Sequence, residues 1–280
     1  MVYALITLYN PDLNVYRNII QISKQVDHVY LCDNSSERNG WNFESNNITY
    51  LYNKGENLGI SLAYNKILTN EAKYSFRMED YILFFDQDTY IPNDHVSKLV
   101  CEYENICQNR KVGCLGPVFI NEVTGQKELP RIKKYINDNT FLTKSVITSS
   151  MLTKYKVLKE IDFFNRNLFL DFVDFDLCWR MMQKGYICCM SDVSIMCHSV
   201  GIAQIQLLGD KIYIESPIRD YYQTKGSLYL LRQSYVPLKF KIKFIYRLIS
   251  RPIVYRFKFK DYKERYQYIK KGYIDWKKNI

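Results

Sequence analysis

Short apolar runs alternate with amphipathic stretches over the first hundred residues of the chain. Runs rich in β-branched and aromatic residues predict four strands, at 2–8, 26–32, 48–52 and 81–85. Apolar residues at helical spacing predict intervening helices, one capped by Asp12 and another starting after residues 57–59. Because strands alternate with helices, we expect an α/β fold with a mainly parallel, doubly wound central sheet flanked by helices.

The same patterns extend through the remainder of the body. Polar, irregular sequence at 121–144 predicts a loop. The other elements predicted beyond residue 90 are helices at 94–109, 153–162, 172–184 and 217–235, and strands at 112–120, 145–152 and 187–196.

The positive charge is concentrated at the C-terminal end. The chain has a net charge of +10, whereas residues 236–280 alone hold fourteen Lys or Arg and three Asp or Glu. We therefore predict a nearly neutral domain at 1–235 and a basic, amphipathic helical extension at 236–280. A neutral body argues against nucleic acid as a partner. The extension suits an anionic membrane surface, although two helices packed on the body would show the same pattern.

The composition is that of a globular, intracellular protein. Hydrophobic residues make up 47% and charged residues 24% of the chain, and no run of eighteen apolar residues occurs. The N-terminus reads as a first strand and not as a signal peptide. The eight cysteines form no CxxC pair, so we expect buried thiols and a cytoplasmic location, with peripheral attachment to the inner face of the membrane as an extension of that expectation.

Two carboxylates follow the strand at 81–85. Asp86 and Asp88 are spaced i and i+2, so on an extended backbone both side chains point the same way. His198 follows a later strand and completes an oxygen and nitrogen set that suits Mn²⁺ or Mg²⁺. An isolated Asp-x-Asp is more often a solvated turn, and a lone histidine is more often a hydrogen-bonded structural residue.

A second acidic group lies inside an apolar stretch. With a helix starting near Phe172, Asp171 is expected to cap it and Asp176 to pair with Arg180 four residues later. Asp174 has no such structural partner. Asp174 is therefore the candidate general base.

Further polar residues stand where predicted strands end. Asp33-Asn34-Ser35 follows the second strand, and Asn57-x-Gly59 precedes a helix, where a glycine allows close approach of a ligand. Neither a GxGxxG nor a GxxxxGK[ST] motif is present, which disfavours a dinucleotide fold and excludes a P-loop.

In order and spacing, these motifs resemble the rhamnosyltransferase-like branch of the family 2 glycosyltransferases, which have the GT-A fold. The resemblance covers roughly residues 1–235. It is carried by residues 7–11, 33–36, 57–65, 85–88, 148–201, 217–222 and 228–232.

The resemblance implies a role for each matching position. Asp86, Asp88 and His198 would bind the metal, and Asp174 would deprotonate the acceptor hydroxyl during an inverting transfer. The nucleotide-sugar donor would contact a wider set of residues: Thr7, Tyr9, Asn10, Asp33, Asn57, Gly59, Asn65, Asp86, Gln87, Tyr222 and Lys225.

The substrates follow from the same likeness. The donor sugar would be rhamnose from dTDP-rhamnose, and the acceptor would be a cell-surface polysaccharide or glycolipid, including lipid-linked glycans. Two alternatives stay open at this point: a nucleotidyltransferase of the same fold, and a non-enzymatic module that docks on lipid or nucleic acid through the basic tail.

Overall fold

The computed structural model describes residues 1–43, 45–122, 124–129, 134–198, 203–207 and 210–278. The strands, in chain order, are β1 Val2–Leu8, β2 His28–Asp33, β3 Ile48–Tyr52, β4 Tyr81–Asp86, β5 Val112–Asn121, β6 Gln126–Glu128, β7 Lys134–Tyr135, β8 Thr140–Thr143, β9 Met151–Lys154, β10 Ile187–His198, β11 Ala203–Leu207 and β12 Asp210–Ile214. The helices are α1 Leu13–Ser23, α2 Gly59–Leu68, α3 His95–Cys107, α4 Tyr155–Glu160, α5 Val173–Gln183, α6 Ile218–Leu231, α7 Leu238–Lys258 and α8 Tyr262–Lys278.

One large mixed sheet forms the centre of the protein, with strand order β3-β2-β1-β4-β9-β5-β10-β8-β7. The first four strands are parallel to one another, as the alternation of strands and helices predicts. β9 instead runs antiparallel between β4 and β5. The local sequence pattern did not predict this reversal.

Two apolar layers cover the two faces of this sheet. Successive residues of β4 point to opposite faces, so Phe84 packs with Tyr64 and Phe164 on one side, while Phe85 joins the cluster containing Ile19 and Leu99 on the other. The ring centroids of Tyr64 and Phe84 lie 4.8 Å apart. Burying each such side chain contributes about 2–3 kcal/mol, so the apolar run fixes β4 firmly at the centre.

Helix and strand boundaries agree with the prediction wherever the local signal is strong. β1 and β3 begin and end at the predicted residues. Asp12 caps α1 by accepting hydrogen bonds from the backbone N–H groups of Asn14 and Val15. Gly185, with φ +81°, follows the end of α5 in the left-handed conformation expected of a helix stop.

Two predictions between residues 121 and 154 were wrong. The segment expected to be a loop contains β6, β7 and β8, and β8 pairs with β10. The β-like stretch at 145–152 becomes a strand only from Met151, as β9. Short strands of this kind depend on a neighbouring strand rather than on their own sequence pattern, since they carry few alternating residues.

The C-terminal segment consists of two helices that pack on α6. Tyr255 and Arg265 both bind the buried carboxylate of Asp220, at 2.7 Å and 3.0 Å. A Cβ on Gly272 would lie 2.7 Å from the carbonyl oxygen of Tyr221, so α8 and α6 are in close backbone contact. The division into domains at residues 235 and 236 stays a prediction.

Among the described residues, no helix is long and apolar enough to cross a bilayer. All eight cysteines are free thiols. Five are buried, as expected, whereas Cys101 is exposed and Cys107 and Cys197 are half-buried.

Candidate active site at the carboxyl edge of the sheet

The predicted site residues of the first half meet where β1, β2 and β4 end. The parallel register sets Thr7 beside Asp86 and Leu8 beside Asp33. These three strands therefore deliver Thr7, Asp33 and Asp86 to one edge, which we call the carboxyl edge. In open α/β sheets, ligands bind at this edge.

Asp86, Asp88 and His198 converge there although 110 residues separate the histidine from Asp88. One ligand atom from each of the three lies within 4.8 Å of the others. His198 Nε2 is 3.7 Å from Asp86 Oδ2, and His198 Nδ1 is 3.7 Å from Asp88 Oδ1. His198 is the last residue of β10, whereas the sequence pattern predicted that it would follow the strand.

Backbone pairing holds these three residues together. Tyr90 and Cys197 exchange backbone hydrogen bonds of 3.3 Å and 3.2 Å, which joins the turn after β4 to the end of β10. Ser149 contacts His198 Nδ1 at 3.5 Å and is hydrogen-bonded to Thr89. The remainder of the motif at 199–201 lies outside the described residues.

This donor set fits a hard divalent cation. Two carboxylates and one imidazole offer oxygen and nitrogen ligands within reach of one ion, and Asp88 is exposed, so a ligand can approach. Burial raises the pKa of Asp86, and the charge of Asp88 adds to the effect, whereas His198 and Arg219 oppose it. A bound cation would remove this repulsion between the two carboxylates.

Arg219 is a residue of this region to which the sequence analysis assigned no role. It lies in the first turn of α6, where its Nη2 is 2.7 Å from Asp171 Oδ1 and its Nη1 pairs with Glu215. Its charge lowers the pKa of Asp86, so its field reaches the candidate metal ligands. The only signal for it in the sequence was its position in the motif at 217–222.

The expectation that Asp171 caps α5 was wrong. Phe172 occupies the N-cap position, with φ +66°, and makes no side-chain capping bond. Asp171 instead accepts hydrogen bonds from Arg219 and from Gln223 Nε2, the latter at 2.9 Å. A hydrogen bond from a charged guanidinium stabilises a buried carboxylate more than one from a backbone N–H does. Here the guanidinium comes from α6, which is distant in the sequence.

The second structural expectation for this stretch is confirmed. Asp176 is fully buried and pairs with Arg180 Nε at 2.7 Å. Asn165 Nδ2 also donates to Asp176 Oδ1, at 3.1 Å, and Tyr235 donates to the same oxygen at 2.5 Å. Asp176 therefore fastens α5 to neighbouring segments.

Asp174 differs from both of these neighbours. It lies in the first turn of α5 and is half-buried, and its Oδ1 accepts a hydrogen bond from the backbone N–H of Phe175 at 2.9 Å. Burial raises the pKa of Asp174 to about 7, with smaller contributions from Cys178 and from the charge of Asp86. A carboxyl group with a pKa near neutrality is well matched to general base catalysis.

On the side of β2, the carboxylate of Asp33 is fully buried. Its Oδ1 accepts from the Ser35 N–H at 2.9 Å, and its Oδ2 accepts from Asn39 at 2.8 Å and from Tyr50. Burial raises the pKa of Tyr50 to about 12, and the neighbouring Asp33 carboxylate adds to the rise. The turn after β2 is thus rigid, while its contact with a nucleoside stays a prediction.

Residues 57–65 form a second rigid wall. Asn57 Oδ1 accepts from the Gly59 N–H at 3.0 Å, and a Cβ at Gly59, with φ +68°, would lie 2.4 Å from the carbonyl oxygen of Phe169. Asn65 is buried, and its amide exchanges two hydrogen bonds with the backbone of Phe164, at 2.8 Å and 3.0 Å. The structure therefore gives Gly59 and Asn65 packing roles in addition to the predicted ligand contacts.

The end of β1 is tied to the Asp86–Asp88 turn. Gln87 Oε1 accepts from the Tyr9 N–H at 2.8 Å, and Gln87 Nε2 donates to the Tyr9 carbonyl at 3.2 Å. Asn10, with φ +46°, donates its N–H to Ser35 Oγ at 2.7 Å. Tyr9 and Asn10 are exposed, so a ligand can reach them, whereas the Gln87 amide already braces the turn.

Tyr222 and Lys225 lie on α6, further along the helix than Arg219. The ring of Tyr222 stacks on Phe169 with centroids 4.3 Å apart. Both Tyr222 and Lys225 line a cleft between α6 and the segment before α5. Lys225 lies about 9 Å along the helix axis from Arg219, so Arg219 is the cation of α6 with the clearer electrostatic link to Asp86.

Comparison with known proteins identifies the chain at family level. No family model matches it. The dTDP-rhamnosyl transferase RfbF of Shigella flexneri is 30% identical over 260 residues, covering 86% of this chain and 83% of that protein. S. aureus TarS 1-349 in complex with UDP-GlcNAc superposes with a TM-score of 0.58 at 14% identity, over 95% of this chain and 79% of that one.

GalNAc-T7, solved with UDP, GalNAc and Mn²⁺, superposes with a TM-score of 0.55 at 12% identity, over 87% of this chain. The match spans about half of GalNAc-T7, at 53% of that chain. At these identities the two structures show the fold alone, whereas the extent of the match to RfbF shows the family. The chain belongs to the family 2 glycosyltransferases with a GT-A fold, and it is a glycosyltransferase that uses a nucleotide-sugar donor.

Proposed function

We propose that the protein is a metal-assisted, inverting rhamnosyltransferase that moves rhamnose from dTDP-rhamnose to a hydroxyl group of a cell-surface polysaccharide or glycolipid. One observation carries this proposal: Asp86, Asp88 and His198 converge at the carboxyl edge. The sugar and its nucleotide follow from the printed name of the Shigella flexneri relative.

The residues of the carboxyl edge would divide the binding of the donor. Thr7, Tyr9, Asn10 and Asp33 would contact the nucleoside, supported by their positions at the ends of β1 and β2. Asp86, Asp88 and His198 would hold Mn²⁺ or Mg²⁺, which when bound neutralises the charge that develops on the leaving diphosphate. Arg219 lies on the same side of the site and lowers the pKa of Asp86, while its own guanidinium is paired with Asp171 and Glu215.

Asp174 would act as the general base. A sugar hydroxyl has a high pKa, so a positioned carboxylate must accept its proton as the new glycosidic bond forms. The raised pKa of Asp174, about 7, supports this role because the group is basic enough to accept a proton and still largely ionised above neutrality. Attack from the side opposite the leaving diphosphate inverts the anomeric centre.

The two alternatives lose support. A nucleotidyltransferase would need a glycine-rich basic loop after β1, and residues 7–14 contain neither feature. A non-enzymatic docking module would not require a cluster of two carboxylates and a histidine at the carboxyl edge. The identified family also favours catalysis.

A donor panel tests the proposal. The wild-type protein is incubated with dTDP-rhamnose and with UDP-, GDP- and other dTDP-sugars, with Mn²⁺ or Mg²⁺, and release of the nucleotide is measured. We expect turnover of dTDP-rhamnose, and we expect Asp174→Asn to abolish transfer to an acceptor while donor binding persists. Turnover of a different nucleotide sugar would overturn the assignment of rhamnose, and normal transfer by Asp174→Asn would exclude it as the base.

We further propose that α7 attaches the enzyme to an anionic membrane surface. Phe244 and Tyr255 of α7 are buried against the body. The opposite side exposes a continuous apolar stripe, formed by Leu238, Ile242, Ile245, Tyr246, Ile249, Ile253 and Phe257. The helix is about 31 Å long, and Lys and Arg side chains are interspersed along it.

Vesicle flotation tests this attachment. Phosphatidylcholine vesicles with and without phosphatidylglycerol are compared for the wild type, for the triple variant Ile245→Gln, Ile249→Gln, Ile253→Gln, and for the exposed control Leu13→Gln. We expect flotation with the anionic vesicles only, lost in the triple variant and retained in the control. Equal flotation of all three proteins would contradict the proposal.

Point substitutions are preferable to truncation in this experiment. Phe244 and the ion pair of Arg265 with Asp220 bind the C-terminal helices to the body. Removing residues 236–280 would therefore expose part of the core and leave the Asp220 carboxylate unpaired. The exposed stripe can be made polar without either loss.

A further inference from the structure

A cleft of about 440 Å³ lies between α2, the segment at 166–169, α6 and the end of α8. We call it the basic cleft. The side chains that line it include three cations, Arg166, Lys225 and Arg232, and no carboxylate. A concave site in which several charges of one sign converge favours a ligand of the opposite sign.

Of these cations, Lys225 is half-buried and Arg166 and Arg232 are exposed, and their pairing differs from that of several other cations of the protein. Arg219, Arg265 and Lys154 are each held by two carboxylates within the chain. Within the described part of the chain, Arg166 and Lys225 have no carboxylate partner. Arg232 has none either, and its guanidinium lies 5.6 Å from the ring centroid of Trp276. Their charges are therefore available to an external anion.

Aromatic rings supply the other part of the surface. Phe169 and Tyr222 stack nearly parallel, with 7° between their planes, and Tyr229 and Trp276 also line the basic cleft. Flat aromatic faces pack well against the C–H face of a sugar ring, while guanidinium groups bind phosphate or carboxylate oxygens. The combination suits a sugar that carries an anionic group.

The basic cleft is also close to the proposed base along the chain. Phe169 precedes Asp174 by five residues, so their Cα atoms can be separated by at most about 18 Å. Between them, Asp171 is fixed to α6 by Arg219 and Gln223. The wall of the basic cleft and the start of α5 therefore keep a fixed position relative to each other.

We propose that the basic cleft is an acceptor subsite that binds an anionic sugar, a saccharide bearing phosphate or carboxylate. This inference rests on the proposed transferase function, because the acceptor must extend from the site of transfer. The anionic group would bind Arg166 and Arg232, and the sugar ring would pack on the aromatic wall. The subsite therefore selects an acid-bearing acceptor over a neutral one.

Ligand binding is tested with glucose 6-phosphate, in EDTA and without donor, so that the result does not depend on donor turnover. Calorimetry gives the dissociation constant, and fluorescence quenching, compared with Trp276→Phe, reports on the location. The double variant Arg166→Gln, Arg232→Gln is compared with Arg110→Gln, an exposed arginine outside the basic cleft. Glucose and inorganic phosphate serve as separate probes.

We expect glucose 6-phosphate to bind more tightly than either glucose or phosphate, and the double variant to weaken it at least tenfold while Arg110→Gln has no effect. Absence of binding, equal binding of glucose, or unchanged binding by the double variant would each overturn the proposal. Donor hydrolysis is assayed in the same variants. If the double variant loses donor hydrolysis, the basic cleft belongs to the donor site instead. If the wild type hydrolyses no donor, the proposed function is refuted, and the binding result alone decides the subsite.

Discussion

Replacing Asp174 with asparagine should stabilise the protein, and the gain should grow with pH. Burial raises the pKa of Asp174 from 3.8 to about 7, so the folded state retains a proton that the unfolded chain loses. Where the folded state binds more protons, stability falls as pH rises. The wild type therefore loses stability between these two pKa values, and the neutral asparagine does not.

The size of the effect follows from the shift. Between about pH 5 and about pH 8, a pKa change of this size corresponds to a loss of about 2.5 kcal/mol in the free energy of unfolding of the wild type. Because Asp174 is half-buried, solvent screening reduces this figure, and we expect about 1 kcal/mol or more. Below the unfolded pKa, the protonated carboxyl and the amide should behave alike.

Urea denaturation of both proteins in EDTA, without donor, measures this difference at the two pH values. The expected result is a stability advantage of Asp174→Asn that is larger at the higher pH. Asp192→Asn, which alters an exposed aspartate, controls for a general change in net charge. A difference between wild type and Asp174→Asn that does not change with pH would refute the assigned pKa. In the same pH range, transfer by the wild type should rise as pH increases through about 7, because only the ionised base accepts a proton.

Two further substitutions test the frame around the site. Gly59→Ala should lower the free energy of unfolding by about 1–3 kcal/mol, since its Cβ would lie 2.4 Å from the Phe169 carbonyl oxygen. The control Gly125→Ala, with φ +66° in open space, should lower it by less. Equal urea midpoints of the two variants would contradict this expectation. Asp171→Ala should destabilise the protein by about 3 kcal/mol, because it leaves the half-buried Arg219 with one carboxylate fewer, and an unchanged thermal midpoint would argue against that pairing.

Much of the fold could be predicted because its signals are local. The apolar runs of β1 and β4, the cap at Asp12 and the stop at Gly185 each depend on a few adjacent residues. The reversal of β9 is not encoded in this way. A short strand can pair in either direction, and the neighbours that decide it lie far away in the sequence.

The same distinction explains the site. Asp86 and Asp88 could be recognised from their spacing, but the role of Asp171 depends on Arg219, which lies 48 residues away. In α7, Phe244 and Ile245 are adjacent residues of the predicted amphipathic extension, yet the first is buried and the second is 49% exposed. Helical spacing shows which residues share a face, whereas tertiary packing determines which face is covered.

Metal-dependent nucleotide binding is the sharpest test of the proposed metal site formed by Asp86, Asp88 and His198. Calorimetry with the nucleoside diphosphate of the donor, with and without Mn²⁺, compares the wild type, Asp88→Asn and the control Asp94→Asn, whose exposed carboxylate pairs with Lys98. We expect Mn²⁺ to tighten binding at least tenfold in the wild type and in Asp94→Asn, and we expect Asp88→Asn to lose this gain. Binding that is independent of metal, or equally metal-dependent in Asp88→Asn, would contradict the proposed metal site.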